Sequence, residues 1–200
     1  MRPMPYHHGD LRAALIEAAT SLVSAHGSEG FSLRQAASLV GVAPSACYKH
    51  FADKSELLAE VARAGFSGLA GSMEHALRGR RGVEALESIA LAYVEFALED
   101  PARFQVMFGP HGAGSDRPDS GRGPGGKTSF ELFRQALDGL EAEGAFRPGA
   151  RKQAELPLWA AMHGLAGILI SRALPQPGSV AVRPAVLQVV RCCLSGLLAG

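Results

Sequence analysis

Apolar residues recur through most of the chain at intervals of three and four, the spacing that places them on one face of a helix. After Asp10, a good N-cap, Leu11, Leu15, Ala18, Ala19, Leu22 and Val23 define a first helix that stops near Gly27. Ser32-Leu-Arg-Gln35 has the S-x-x-Q form of a capping box and opens a brief second helix carrying Leu33, Ala36, Ala37 and Val40, with Gly41 as the residue that ends it. Ala43-Pro44 restarts helix with proline at the first helical position, and the third helix runs from Pro44 to about His50. A further capping box at Asp53-Lys-Ser-Glu56 opens a fourth, with Leu57, Leu58, Val61 and Ala62 on one face, reaching about Gly68.

Beyond residue 80 the pattern stays helical. Helices are expected from Val83 to Glu99, from Asp100-Pro101 through Phe104, Met107 and Phe108, from Thr128-Ser-Phe-Glu131 to Gly144, from about Arg151 to Ala173, and from Val182 to Leu198. Residues 109–128 hold seven glycines and three prolines, which predicts a flexible surface loop. The last two helices are the most apolar, and two such faces cannot both stay exposed in a soluble monomer, so a homodimer is expected through them.

Composition agrees with an all-α protein: 47% hydrophobic, 20% charged and only 6% aromatic. A net charge of +1 does not announce a nucleic-acid binder, so that reading needs a local motif. Cys47, Cys192 and Cys193 have neither metal-ligand nor disulfide-framework spacing and read as reduced thiols of a cytoplasmic protein. No signal peptide is expected. Leu156–Ser171 is uncharged but falls short of the roughly 20 residues a spanning helix needs, so no membrane partner is expected. His7 and His8 read as an arm that brushes DNA in preference to a metal pair. No metal site, cofactor or enzyme chemistry is expected, since no Ser/His/Asp order, paired carboxylates or phosphate loop between strand and helix is present.

Two short helices joined at Gly41 fit a helix-turn-helix, and on periodicity alone they fit a helical hairpin of an enzyme equally well. The residues are more specific. Ser32 to Phe51, SLRQAASLVGVAPSACYKHF, followed by Asp53, Lys54 and Leu57-Leu58, resembles the DNA-binding domain of TetR/AcrR-type transcriptional repressors, and the string Tyr48, His50, Phe51, Lys54 is its distinctive part. Trp159-Ala-Ala-Met-His163-Gly164, with Glu99-Asp-Pro-Ala-Arg-Phe104 before it, is similar to the family branch with a WHG-like C-terminal ligand-binding domain.

The resemblance implies an N-terminal three-helix helix-turn-helix domain, residues 1–55, joined by a connecting helix to a helical ligand-binding and dimerisation domain, residues 56–200. It places Ser32, Tyr48, His50 and Lys54 at phosphates, with Arg34 beside them, and Pro44, Ser45, Ala46 and Lys49 where base edges are read. Tyr48 can alternatively be core. Ala43 and Ser45 depart from the family's usual residues, a capping hydroxyl and a glycine, and Cys47 replaces the usual leucine as a small core residue. Phe96, Phe104, Met107, Phe108, Phe130, Phe133, Trp159 and His163 are candidates to line an apolar effector pocket. A packed dimer helix with a satisfied buried histidine is the competing reading of Trp159 and His163, which share a helix face. The function implied is a repressor that holds a palindromic operator and is released by a small apolar effector.

Overall fold

In the computed structural model the protein is all-helical, and the structure describes residues 10–113, 121–171 and 181–199. His7 and His8 lie outside them. The helices are α1 (Leu11–His26), α2 (Leu33–Val40), α3 (Pro44–Cys47), α4 (Lys54–Leu77), α5 (Gly82–Glu99), α6 (Pro101–Phe108), α7 (Pro110–Ala113), α8 (Ser129–Ala142), α9 (Ala150–Ser171) and α10 (Val182–Ser195). Two compact units form: residues 10–66 with 100–113, and residues 67–99 with 121–171 and 181–199.

The first unit packs Leu15, Ala19, Val23, Ala36, Ala37, Cys47, Phe51, Leu57 and Val61 into one core that also takes in Val106 of α6. Small side chains on α1 and α2 let these short helices approach closely, and Phe51, fully buried, fills the space behind the turn that follows α3. Asp10 accepts the N–H of Ala13, and Ser32 and Gln35 complete the expected capping box. Gly41, at φ 82°, takes the left-handed conformation that ends α2, where a Cβ is disfavoured.

Three expectations are revised. α3 is helical only to Cys47, but the chain keeps turning: Tyr48 N–H donates to Pro44 O, Lys49 N–H to Ala46 O and Phe51 N–H to Cys47 O. α4 runs to Leu77 in place of about Gly68, because its glycines are packing surfaces: a Cβ at Gly65 would lie 2.6 Å from Met107 Sδ, and one at Gly68 would lie 3.3 Å from the Phe96 ring. Within the segment expected as a flexible loop, α7 is helical, and residues 121–128 pack on α4, with Gly125 N–H donating to Glu74 at 2.9 Å.

In the second unit α5 packs against α8, α9 and α10, burying Leu86, Ile89, Tyr93, Val94 and Ala97 against Phe133, Leu137, Leu158, Met162, Val186 and Val190. An isolated antiparallel bridge between Phe146 and Leu198 ties the segment after α10 to the α8–α9 connection. By length and composition α9, at 22 residues, suffices to cross a membrane, but Ala154, Leu158, Met162 and Ala166 on one side of it are core. Its other side leaves Leu156 75% exposed and Ile168 38% exposed, with Ala160 and Gly164 between them at helical spacing.

Candidate nucleic-acid interface and effector pocket

Ser32, Tyr48 and Lys54 come together in the first unit. With Phe31, Leu33, Ala52 and Asp53 they line a shallow groove of about 290 Å³. Tyr48 is 52% exposed, which removes the core alternative. Pro44, Ser45 and Lys49 are exposed on the turn of α3, Arg34 is exposed on α2, and Ala46 and His50 are half-buried. These residues flank the groove's neighbourhood in the chain but do not line the groove itself.

The groove is held by local bonds. The Ser32 hydroxyl accepts the N–H of Gln35 and donates to Gln35 Oε1 at 3.0 Å, so it already has work inside the fold. Asp53 Oδ1 accepts the N–H of Glu56, while the Glu56 carboxylate reaches past Asp53 to accept the N–H of Ala52 at 2.6 Å. The Lys54 ammonium donates to the backbone carbonyl of Glu29 at 3.4 Å, stands 3.7 Å from the Glu29 carboxylate and lies over the Phe31 ring. Glu29 and Phe31 are therefore part of the site, and spacing along the chain gave no sign of that, because the α1–α2 loop meets the start of α4 only in the fold. Arg12 lies over the Phe51 ring and pairs with Glu60, which also holds Arg63. These two arginines lower the Glu60 carboxyl against the opposing effect of its burial. Burial raises the Cys47 thiol, so it stays protonated and unreactive.

The candidate effector residues divide between the units. Phe104, Met107 and Phe108 belong to the first, where Phe108 meets the Phe66 ring edge-on and Met107 fills the space beside Gly65. Phe96, Phe133, Trp159 and His163 belong to the second. There the indole of Trp159 packs against Phe130, Phe133 and Tyr93 at centroid distances of 5.2, 5.4 and 5.3 Å. His163 Nδ1 and the Tyr93 hydroxyl share a hydrogen bond at 2.8 Å, and burial lowers the imidazole below its ordinary value, so it is neutral at pH 7. Nothing in the spacing of the sequence marks Tyr93, 70 residues away, as the partner of His163.

Two grooves open on this unit. One, about 500 Å³, lies between α8 and α9 with Phe130, Trp159 and Leu156 as its apolar part and Arg134, Asp138, Arg151 and Glu155 around them. Arg151, almost buried, donates to Asp138 at 2.7 Å and to Glu155 at 3.2 Å. The other, about 810 Å³, runs along α4 and α5 past Gly68, Gly71, Phe96, Glu95 and Glu99 to Pro124, Arg183 and Leu187. Among the described residues no group of His, Cys, Asp and Glu is placed to hold a metal ion.

Comparison with known proteins gives a consistent result. Residues 15–61 match the family described as bacterial regulatory proteins, tetR family, and residues 86–191 match the tetracyclin repressor-like C-terminal domain. A curated relative, the uncharacterized HTH-type transcriptional regulator YobS of Bacillus subtilis (strain 168), is 31% identical over 92 residues. That match covers 46% of this chain and 48% of the relative, so the chain spans about half the length of the curated protein it matches. A solved structure of a protein with unknown function from Rhodococcus sp. RHA1 is 26% identical with a TM-score of 0.77, covering 98% of each chain. PfmR, a TetR family transcriptional regulator from Thermus thermophilus, is 21% identical with a TM-score of 0.62 over 90% of this chain and 97% of its own. SmeT in complex with triclosan is 17% identical with a TM-score of 0.64 over 94% and 91%; for these last two the likeness is one of fold.

Proposed function

The chain belongs to the TetR family of transcriptional regulators, and from that premise we propose that it is a repressor that binds a palindromic operator as a homodimer and lets go when a small apolar effector occupies its helical body. As a transcriptional regulator it is not an enzyme. The observation that carries the reading is the groove of Ser32, Tyr48 and Lys54 beside the exposed turn of Pro44, Ser45 and Lys49. In this reading Ser32, Tyr48, His50 and Lys54, with Arg34, hold phosphates, and Lys49 reads a base edge among Pro44, Ser45 and Ala46. Residues 1–55 serve DNA binding and residues 56–200 serve the effector and the dimer. The work is done on DNA in the cytoplasm.

The dimer reading is supported by the apolar face of α9, where Leu156, Ala160, Gly164 and Ile168 are exposed among the described residues. Leu194 of α10 is core and a charge there would report on folding, whereas Leu156 is exposed, so Leu156→Glu should keep the fold and yield a monomer by light scattering. Two-fold symmetry then sets half-sites about one DNA turn, roughly 34 to 36 Å, apart or a multiple of it. The effector reading is supported by the aromatic group around Trp159 with one neutral polar pair, Tyr93 and His163, and by a neighbour of the same fold that holds triclosan. Phe133 belongs to that group, and Phe96 lines the separate groove along α4 and α5.

The test is a fluorescence-anisotropy titration of DNA from upstream of the protein's own gene. Tight, saturable binding to a palindromic fragment and weak binding to its scrambled version are expected, with transcription from that promoter falling as protein is added. Equal affinity for both fragments would remove the operator-binding claim. Activation of transcription in place of inhibition would remove the repressor assignment.

A further inference from the structure

Residues 121–128, Gly-Arg-Gly-Pro-Gly-Gly-Lys-Thr, have the Gly-x4-Gly-Lys-Thr spacing of a loop that cradles phosphate at a helix N-terminus. Here the donors are otherwise engaged. The Thr128 hydroxyl accepts the N–H of Glu131, the Glu131 carboxylate accepts the N–H of Thr128, and Arg122 pairs with that carboxylate at 3.0 Å. Lys127 donates to Gln135 Oε1. The anion seated on the loop belongs to the protein itself: Gly125 N–H donates to Glu74 Oε2 of α4 at 2.9 Å.

The fit between loop and helix is reciprocal. A Cβ at Gly125 would crowd the end of the Glu74 side chain, 2.6 Å from Oε1, and one at Gly123 would lie 3.1 Å from the backbone of Ala70 and Gly71, so glycine at position 123 lets the loop lie close on α4. Gly71 faces Pro124, whose Cδ would be in ordinary contact, 3.5 Å, with a Cβ there. The loop is also closed on itself, with Gly123 N–H donating to Lys127 O at 2.8 Å and Gly126 N–H to Gly123 O at 2.9 Å. Pro124 and Gly71 both line the groove of about 810 Å³ that Phe96 lines, so a molecule filling that groove touches the loop and α4 together.

We propose that residues 121–128 form a latch on α4: Glu74 seated at Gly125, with Gly123 against Ala70 and Gly71, holds the second half of α4 in its DNA-competent setting, and opening the latch is the step through which an effector acts. The inference rests on the reading of the protein as an effector-released DNA binder. α4 is one helix that carries Glu74 near one end and Lys54, of the DNA groove, at the other. An effector can shift binding only by favouring one of two arrangements, which in this proposal are the latch seated, as observed, and released.

The test compares Glu74→Ala, Glu74→Gln and Gly123→Ala with the unmodified full-length protein by amide hydrogen exchange and by titration of the upstream palindromic DNA. Glu74→Ala should raise exchange at Gly125 and at residues 70–77 by about tenfold without moving exchange in the core of α5. It should weaken DNA binding by about fivefold or more, although it alters no residue of the DNA groove. Glu74→Gln, which keeps an acceptor oxygen, should stay near the unmodified protein in both measurements. Gly123→Ala should reproduce the opened state by steric means, so the proposal remains open to refutation if Glu74→Ala does not fold. Unchanged exchange at residues 70–77 in the folded variants overturns the latch, and raised exchange with unchanged DNA affinity overturns its regulatory role. If the unmodified protein ignores the palindromic DNA, the failure lies with the proposed function, and the exchange result still decides the contact.

Discussion

In the first unit the helix ends are set by residues next to them, whereas the second unit is distinguished by contacts between residues far apart in the chain. Asp10, Ser32 and Asp53 each accept an N–H three residues on, and Gly41 closes α2 by its own conformation. The second unit also has a capping box at Thr128, but its distinctive features are long-range: Gly68 under Phe96, the Tyr93–His163 bond, and Arg151 nearly buried against Asp138 and Glu155. The first core is apolar throughout, whereas Thr128, Ser129 and Arg151 are buried in the second. A core of small apolar side chains behind well-capped helices suits a surface whose shape must be ready before its partner arrives. Buried polar groups, which are stable only while their partners are in place, suit a unit that answers to a ligand.

The contrast predicts different responses to damage. Phe51→Ala, the largest expected effect, removes a fully buried ring from the first core and should cost about 3 to 5 kcal/mol in urea unfolding. If the cost is well under that range, the first unit is less tightly packed than described. Arg151→Ala in the second unit should cost about 1 to 3 kcal/mol, since the carboxylates it leaves, Asp138 and Glu155, are partly exposed and keep some solvation. Arg151→Lys should recover only part of this, because a single ammonium cannot replace a guanidinium fork reaching two carboxylates. Full recovery by lysine would reduce the site to simple charge pairing.

A smaller effect should appear with pH. Burial lowers the His163 imidazole, so the folded protein holds it neutral while the unfolded chain takes up a proton near the ordinary value of about 6.5. The stability tied to this histidine is therefore complete above that value and is lost as the pH falls through it. Unfolding curves from pH 7.5 to 5.5 should show a fall that His163→Gln lessens. An identical fall in the variant would assign it to other groups.

The same contrast explains what could be read from the sequence. Local signals made α1, α2 and the Gly41 turn legible, whereas Ser32, Tyr48 and Lys54, which share one groove, were marked by the family resemblance. The true length of α4 was hidden because helix propensity penalises glycine, while Gly65 and Gly68 are favoured by neighbours 42 and 28 residues away, Met107 and Phe96. Glu29 at Lys54 and Tyr93 at His163 were hidden for the same reason, the latter pair being 70 residues apart. Residues 121–128 look like free loop by composition, and only the fold shows Gly123 against the backbone of α4 and Gly125 at the Glu74 carboxylate.

The central claim, that the groove of the first unit grips DNA phosphates, is tested most directly by the salt dependence of operator binding in the unmodified protein and in Lys54→Ala. Each phosphate contact contributes about 0.9 to the slope of log K against log salt, so the variant of a dimer should lose about 1.8 from the slope and weaken on all sequences alike. An unchanged slope, with Lys54→Ala binding as the unmodified protein does, would contradict the account.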